Sequence, residues 1–189
     1  MEMPAGGYAG APRSLIARML GAAMLDVSVY EEVEADQNAT GQAAIVVAIV
    51  AICAAIGSAG SGGKGIVAAV VMALISWLIL SVLTYFIGTK LFGGTADIGE
   101  MLRTLAFAQT PGVLLILGFI PLIGWMVGLV VWFWKIVTTV VAIRQALDFD
   151  LGKAIATAVI AWVIVFAVVA TIGMVIFGTA MAIGAATGG

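Results

Sequence analysis

Long apolar runs broken by short polar stretches dominate the chain. From about Gln42 to Ser58 the residues are almost uninterrupted Ala, Ile and Val, and a second run extends from about Ile66 to Ile87 after the loop GSAGSGGKG at 57–65. A polar stretch from Gly88 to Glu100, with Lys90, Asp97 and Glu100, separates these from three more runs at about Met101–Ile120, Ile123–Ala146 and Ala154–Phe177. Each run comes near the ~20 residues a helix needs to cross ~30 Å of hydrocarbon. The pattern predicts an all-α protein, a polytopic bundle of five transmembrane helices over 42–178.

Ahead of the bundle, Ile16, Leu20, Ala23, Val27 and Tyr30 recur at three- and four-residue spacing, which marks one face of a helix. The spacing predicts a single amphipathic helix over 13–36, whose other face ends in Glu31, Glu32, Glu34 and Asp36. It is too charged to span and is expected on the membrane surface or against the bundle. Residues 1–12 read as a disordered Gly/Pro-rich tail without the features of a cleaved signal peptide, and 179–189 as a small-residue tail.

The number of crossings is decided by charge. Pro111 to Trp134 admits a second reading as one kinked span, which leaves four crossings and divides the basic residues evenly between the two sides. With five crossings and a cytoplasmic N-terminus, Arg13, Arg18, Lys90, Arg103, Arg144 and Lys153 fall inside, Lys64 alone falls outside, and Lys135 lies within the membrane. Short cytoplasmic loops collect Lys and Arg, so five crossings are expected, with an external C-terminus and a tight external turn at Pro121 to Gly124.

Composition narrows the chemistry. With 63% hydrophobic and 10% charged residues and a mean hydropathy of +1.23, a soluble globular protein is excluded. There is no histidine and a single cysteine, Cys53, which leaves no imidazole catalysis, CxxC pair or Cys/His metal cluster. A net charge of −2 with dispersed basic residues provides no nucleic-acid patch. No catalytic, cofactor-binding or metal-ligating residues are assigned.

The glycine loop departs from a phosphate-binding P-loop, since Gly65 follows Lys64 where Ser or Thr is required; it reads as a connector. Asn38 or Thr40 is expected to cap the first span. Lys135 is the intramembrane charge, and Gln109 and Thr110 are expected at comparable depth as oxygen ligands or as the lining of a polar slot; snorkelling beside its aromatic neighbours is the plainer role. Pro111 is expected to kink the third helix, and Pro121 to cap the outer turn. Gly124 and Gly128 form a GxxxG, and Ala154, Ala158, Gly178 and Ala182 continue the small-residue pattern that lets helices approach closely in lipid, within the bundle or in a second copy. Trp77, Tyr85 and Trp125 are expected as interfacial anchors.

The run Arg103-Thr-Leu-Ala-Phe-Ala-Gln-Thr-Pro111, then Ile120-Pro121-Leu-Ile-Gly124, Trp132 to Lys135, Ala142-Ile-Arg144-Gln-Ala-Leu147 and Leu151-Gly-Lys153-Ala154 resembles the Yip-domain family of Ypt/Rab-interacting membrane proteins. Leu25-Asp26, Tyr30 to Asp36 and Thr40-Gly-Gln42 are similar to its compact prokaryotic members. The resemblance implies five membrane helices, a cytoplasmic N-terminus, and a non-enzymatic role in membrane organisation or trafficking with lipid or protein partners. It carries over no catalytic residues. Arg103 would then stand at the cytoplasmic rim, meeting Asp97, Glu100 or a lipid phosphate. The rival expectation is a small transporter, channel or lipid-translocating protein with a polar path at Lys135, Gln109 and Thr110.

Overall fold

In the computed structural model, residues 13–58 and 65–187 are described; the 1–12 tail and most of the glycine loop lie outside them. The described residues form helices joined by turns: α1 (Leu15–Ala23), α2 (Val27–Ala35), α3 (Ala39–Gly57), α4 (Ile66–Phe92), α5 (Ile98–Phe107), a 3₁₀ segment (Thr110–Phe119), α6 (Ile123–Ala146) and α7 (Leu151–Thr187). Five segments are long and apolar enough to cross a membrane: α3, α4, the α5–3₁₀ pair, α6 and the start of α7.

The amphipathic segment is two helices rather than one. Leu25 adopts φ +64°, and Asp26 restarts the chain as N-cap of α2 by accepting from the Ser28 amide at 3.0 Å. The pair packs on the bundle at α5 and α6. Trp134 Nε1 donates to the Ala23 carbonyl at 2.8 Å, and the buried Tyr30 hydroxyl donates to the Ala22 carbonyl at 2.9 Å. Burial pushes the Tyr30 phenol well above its ordinary range. The largest buried side chains gather here, Arg18, Tyr30, Met101, Leu105, Phe107, Ile143 and Leu147 among them. The core therefore sits at the charged end of the bundle. Toward the other end, α4, α6 and α7 present Val67, Met72, Trp125, Met126 and Phe166 outward, as lipid-facing helices do when hydrocarbon is the solvent.

Helix ends explain the connections at the charged end. Gly93, at φ +74°, closes α4 in the left-handed conformation, where glycine lacks the Cβ that disfavours it. Asp97 and Glu100 form a reciprocal capping box at the start of α5, at 2.8 and 2.6 Å. Asn38 occupies the N-cap position of α3 without a side-chain hydrogen bond, and Thr40 donates to the Gln37 carbonyl. The last helix continues to Thr187, beyond the boundary drawn at 178 from the run of small residues.

The third crossing is not a kinked α-helix. Pro111 has no amide proton for the Phe107 carbonyl, four residues back, and from Thr110 the chain runs as ten residues of 3₁₀ helix. That is long for a form that rarely exceeds three or four residues. Two hydroxyls meet the freed carbonyls: Thr110 Oγ1 donates to Phe107 at 2.7 Å and Thr138 Oγ1 to Ala108 at 2.8 Å. The 3₁₀ rise of ~2.0 Å per residue against ~1.5 Å for an α-helix lengthens this crossing by about 5 Å. Small residues admit the tighter segment. A Cβ on Gly57 would lie 1.8 Å from the Leu115 carbonyl oxygen, and one on Gly124 2.3 Å from that of Gly118.

Candidate functional site

Two places concentrate polar chemistry: the capped end under α1 and α2, and the middle of α6. At the first, Arg18 is 1% exposed although it lies on a short helix at the periphery. Its Nε donates to Glu32 at 3.0 Å, Nη1 to Gln42 at 3.0 Å and Nη2 to Asp36 at 2.8 Å. Arg13 adds contacts to Glu32 and to the Ser28 hydroxyl. Most of the guanidinium's donors are thereby satisfied, which makes its burial tolerable. The hydrogen bond from Arg18 holds the Asp36 carboxyl below its ordinary range, against the opposing effect of burial.

Arg103, 4% exposed, reaches from α5 to the end of α2. Its Nε donates to the Val33 carbonyl at 2.8 Å and its Nη2 to the Glu34 carbonyl. It therefore caps the last carbonyls of α2 rather than pairing with Asp97 or Glu100, a use of cationic side chains at helix C-termini. Beside it, Glu31, Glu34, Glu100, Gln145 and Asp148 line a cavity of about 300 Å³. Burial, then the nearby charges of Glu100, Asp148 and Glu31, raise the Glu34 carboxyl to about 7, Arg103 opposing. Asp148 also accepts from the Thr95 hydroxyl at 2.8 Å, tying the α4–α5 turn to the α6–α7 turn.

The second place is Lys135, midway along α6. Together with Gln109 and Leu80 it forms the shared wall of two half-open cavities, of about 310 and 370 Å³. The first runs between α3 and α4, past Val47, Val50, Ala51, Ser76 and Trp77 to Leu115. The second runs toward α7, past Trp132, Ile136, Thr139 and Trp162. The lysine stem passes Gly112, where a Cβ would stand 3.8 Å from Lys135 Cδ. Lys135 and Gln109 line the same cavities, and Thr110 lines neither. Its hydroxyl is committed to Phe107, and the carbonyls freed by Pro111 go to threonines rather than to the ammonium.

Other expected residues separate. Pro121 sits in the α6 turn, its carbonyl accepting from Ile123 at 2.8 Å while Leu122 takes φ +66°. Gly124 is used inside the bundle, whereas a Cβ on Gly128 would meet nothing within 4 Å. Ala154 and Ala158 are buried; Gly178 and Ala182 lie outside the described side chains. Trp77 is no interfacial anchor: it is 6% exposed and donates to the Leu102 carbonyl at 2.9 Å. Trp125 faces outward at 67% exposure. The Arg18 clamp was missed because its partners lie 14 to 24 residues away. The acidic run was the available signal. Among the described residues, no three of His, Cys, Asp or Glu are arranged to hold a metal ion.

Five apolar crossings capped by a charged, packed helix pair define a multi-pass α-helical membrane protein. The Yip1 domain family model matches residues 27–172, most of the chain, so the protein belongs to the Yip1-domain family. No curated protein and no solved structure matches it.

Proposed function

We propose that this Yip1-domain protein is a non-enzymatic organiser of the membrane, acting in membrane architecture or trafficking through its helix faces and its cap, with lipids and a protein partner as its ligands. The reading assigns the cap to the cytoplasm, the C-terminus to the exterior, and the protein to a prokaryotic-type cell membrane. One observation carries it. Arg18 and Arg103 spend their charge on fastening α1 and α2 to the bundle, and Glu31, Glu34, Glu100 and Asp148 line a preformed cleft beside them on that end. A fixed acidic face on a membrane anchor suits a basic segment of a partner better than an anionic lipid surface, which would repel it.

The test is a photo-crosslinking residue placed at Glu31 in native membranes. A discrete protein adduct is expected, lost when Arg103→Ala releases α2 and absent when the probe stands at the lipid-facing Phe166. Adducts that do not depend on the probe's position would overturn the reading. The transport alternative is favoured by the Lys135–Gln109 cavities alone. It requires solute or lipid flux in liposomes that Lys135→Leu abolishes.

A further inference from the structure

The paired cavities allow the lipid ligand to be specified, an inference that deepens the lipid half of the reading above and rests on it. We propose that Lys135 and Gln109 hold the anionic head of an amphiphile, a carboxylate or phosphodiester carrying acyl chains, with the chains lying in the two apolar lobes beside them.

Charge is the first argument. An ammonium in mid-membrane is costly unless it is paired, and among the described residues no carboxylate forms an ion pair with Lys135; the recorded bridges belong to Arg13 and Arg18. The nearby carbonyls of Phe107 and Ala108 accept from Thr110 and Thr138. A counter-charge from outside the chain would complete the pairing.

The walls supply the second argument. Neither cavity is lined by Asp or Glu, and the polar groups facing them are donors or can donate: Lys135, Gln109, Ser76 and Thr139, with the indoles of Trp132 and Trp162. Such a set can donate to an anion and brings no carboxylate to repel it. Every other wall position is aliphatic or aromatic, which a bare inorganic anion would not use and an acyl chain would fill. Shape is the third argument. The two polar groups line both cavities, of about 310 and 370 Å³, each at the lower end of ordinary ligand cavities of roughly 300–1,000 Å³. A head at this shared wall with chains to either side matches that division.

The full chain, reconstituted in phosphatidylcholine nanodiscs, provides the test, because Trp77, Trp132 and Trp162 report any chain that enters the lobes. Brominated fatty acid and brominated phosphatidylglycerol are titrated separately as quenchers, with brominated phosphatidylcholine as the zwitterionic reference and inorganic phosphate as competitor. Saturable quenching by at least one anionic amphiphile is expected, and the arm that saturates identifies the carboxylate or the phosphodiester as the source. Lys135→Leu should weaken it roughly tenfold or more, as truncating one partner of a buried charge pair does, and Lys135→Arg should keep it. Equal quenching by phosphatidylcholine, displacement by inorganic phosphate without loss on brominated-chain shortening, or no difference between Lys135→Leu and Lys135→Arg would overturn the assignment. Should Lys135→Leu fail to fold, Lys135→Gln against Lys135→Arg decides in the same way. Crosslinking at Glu31 does not involve Lys135, so failure of this site leaves the partner reading standing or falling by its own result.

Discussion

Arg18 on α1 holds Asp36, beyond the end of α2, at 2.8 Å from a position 1% exposed to solvent. The same guanidinium takes Glu32 and Gln42, so one buried cation ties together α1, α2 and the start of α3. Arg18→Leu removes all three contacts. Its acidic partners remain about a quarter exposed and can rehydrate, so the expected loss is about 2 to 3 kcal/mol, below the full cost of stranding a buried charge. Proteolysis between α1 and α2 should accelerate while the spanning helices stay protected. Because Asp36 titrates below its ordinary range in the folded chain, its contribution is complete above the unfolded carboxylate range near pH ~4. It is lost as pH falls through the folded value. Cap protection in the wild type should decline there, and Asp36→Asn should remove much of that decline.

Glu34 has the opposite sign. Its carboxyl is raised from 4.5 to about 7, so between those values the folded chain keeps a proton that the unfolded chain has released. The docking of α2 on α5 and α6 is therefore strongest below pH 4.5, weakens as pH rises to about 7, and is flat above it. Glu34→Gln should abolish that slope. A disulfide-trapping pair placed across α2 and α5, read from pH 4 to 8 in the same detergent, measures it. A slope unchanged in Glu34→Gln assigns the effect elsewhere.

Much of this architecture is written in the chain because hydrocarbon imposes length and apolarity on every crossing. Gln42–Ser58 and Ile123–Ala146 were legible from that requirement, and the placing of Lys135 and Gln109 on the same cavities agrees with their similar depths along the chain. What escaped has local causes that the apolar pattern does not encode. Leu25 carries the left-handed turn between α1 and α2, where Gly or Asn would have announced a break. Pro111 marked the disturbed crossing, but the choice of 3₁₀ helix over a kink depends on Thr110 and Thr138 taking the loose carbonyls and on Gly57 and Gly118 allowing the backbones to touch. Arg103 was read by charge as a partner for acids or phosphate; its carbonyl partners on α2 are set by tertiary packing.

The contact of α3 with the 3₁₀ segment makes glycine indispensable at one position and dispensable at another. A methyl group on Gly57 would overlap the Leu115 carbonyl at 1.8 Å, and the obstacle is backbone. Gly57→Ala should therefore force the segments apart and lower stability by an amount typical of overpacking, about 1 to 3 kcal/mol, read as a lower thermal midpoint. Gly128→Ala has open space and should leave the folded monomer unchanged. If Gly128 serves a face for a second copy, its substitution by Ile should alter crosslinked dimer yield while the thermal midpoint holds. Equal destabilisation by Gly57→Ala and Gly128→Ala would contradict the packing described.

The orientation proposed above rests on which cations the fold leaves at the surface. Arg18 and Arg103 are buried, so the rim of the capped end exposes Arg13, Lys90, Arg144 and Lys153. Lys64 belongs to the connector between α3 and α4 in the sequence. Removing the two structural arginines from the count keeps the bias toward the capped end, and that bias retains Lys- and Arg-rich loops in the cytoplasm during insertion. With five crossings between them, the cap and the far end of α7 are expected on opposite sides. An epitope inserted ahead of Arg13 should resist labelling in intact cells, while a reporter fused after Gly189 should be accessible from outside. Accessibility of both from the same side would require an even number of crossings, and would remove Lys135 from mid-membrane along with the need for a counter-charge there.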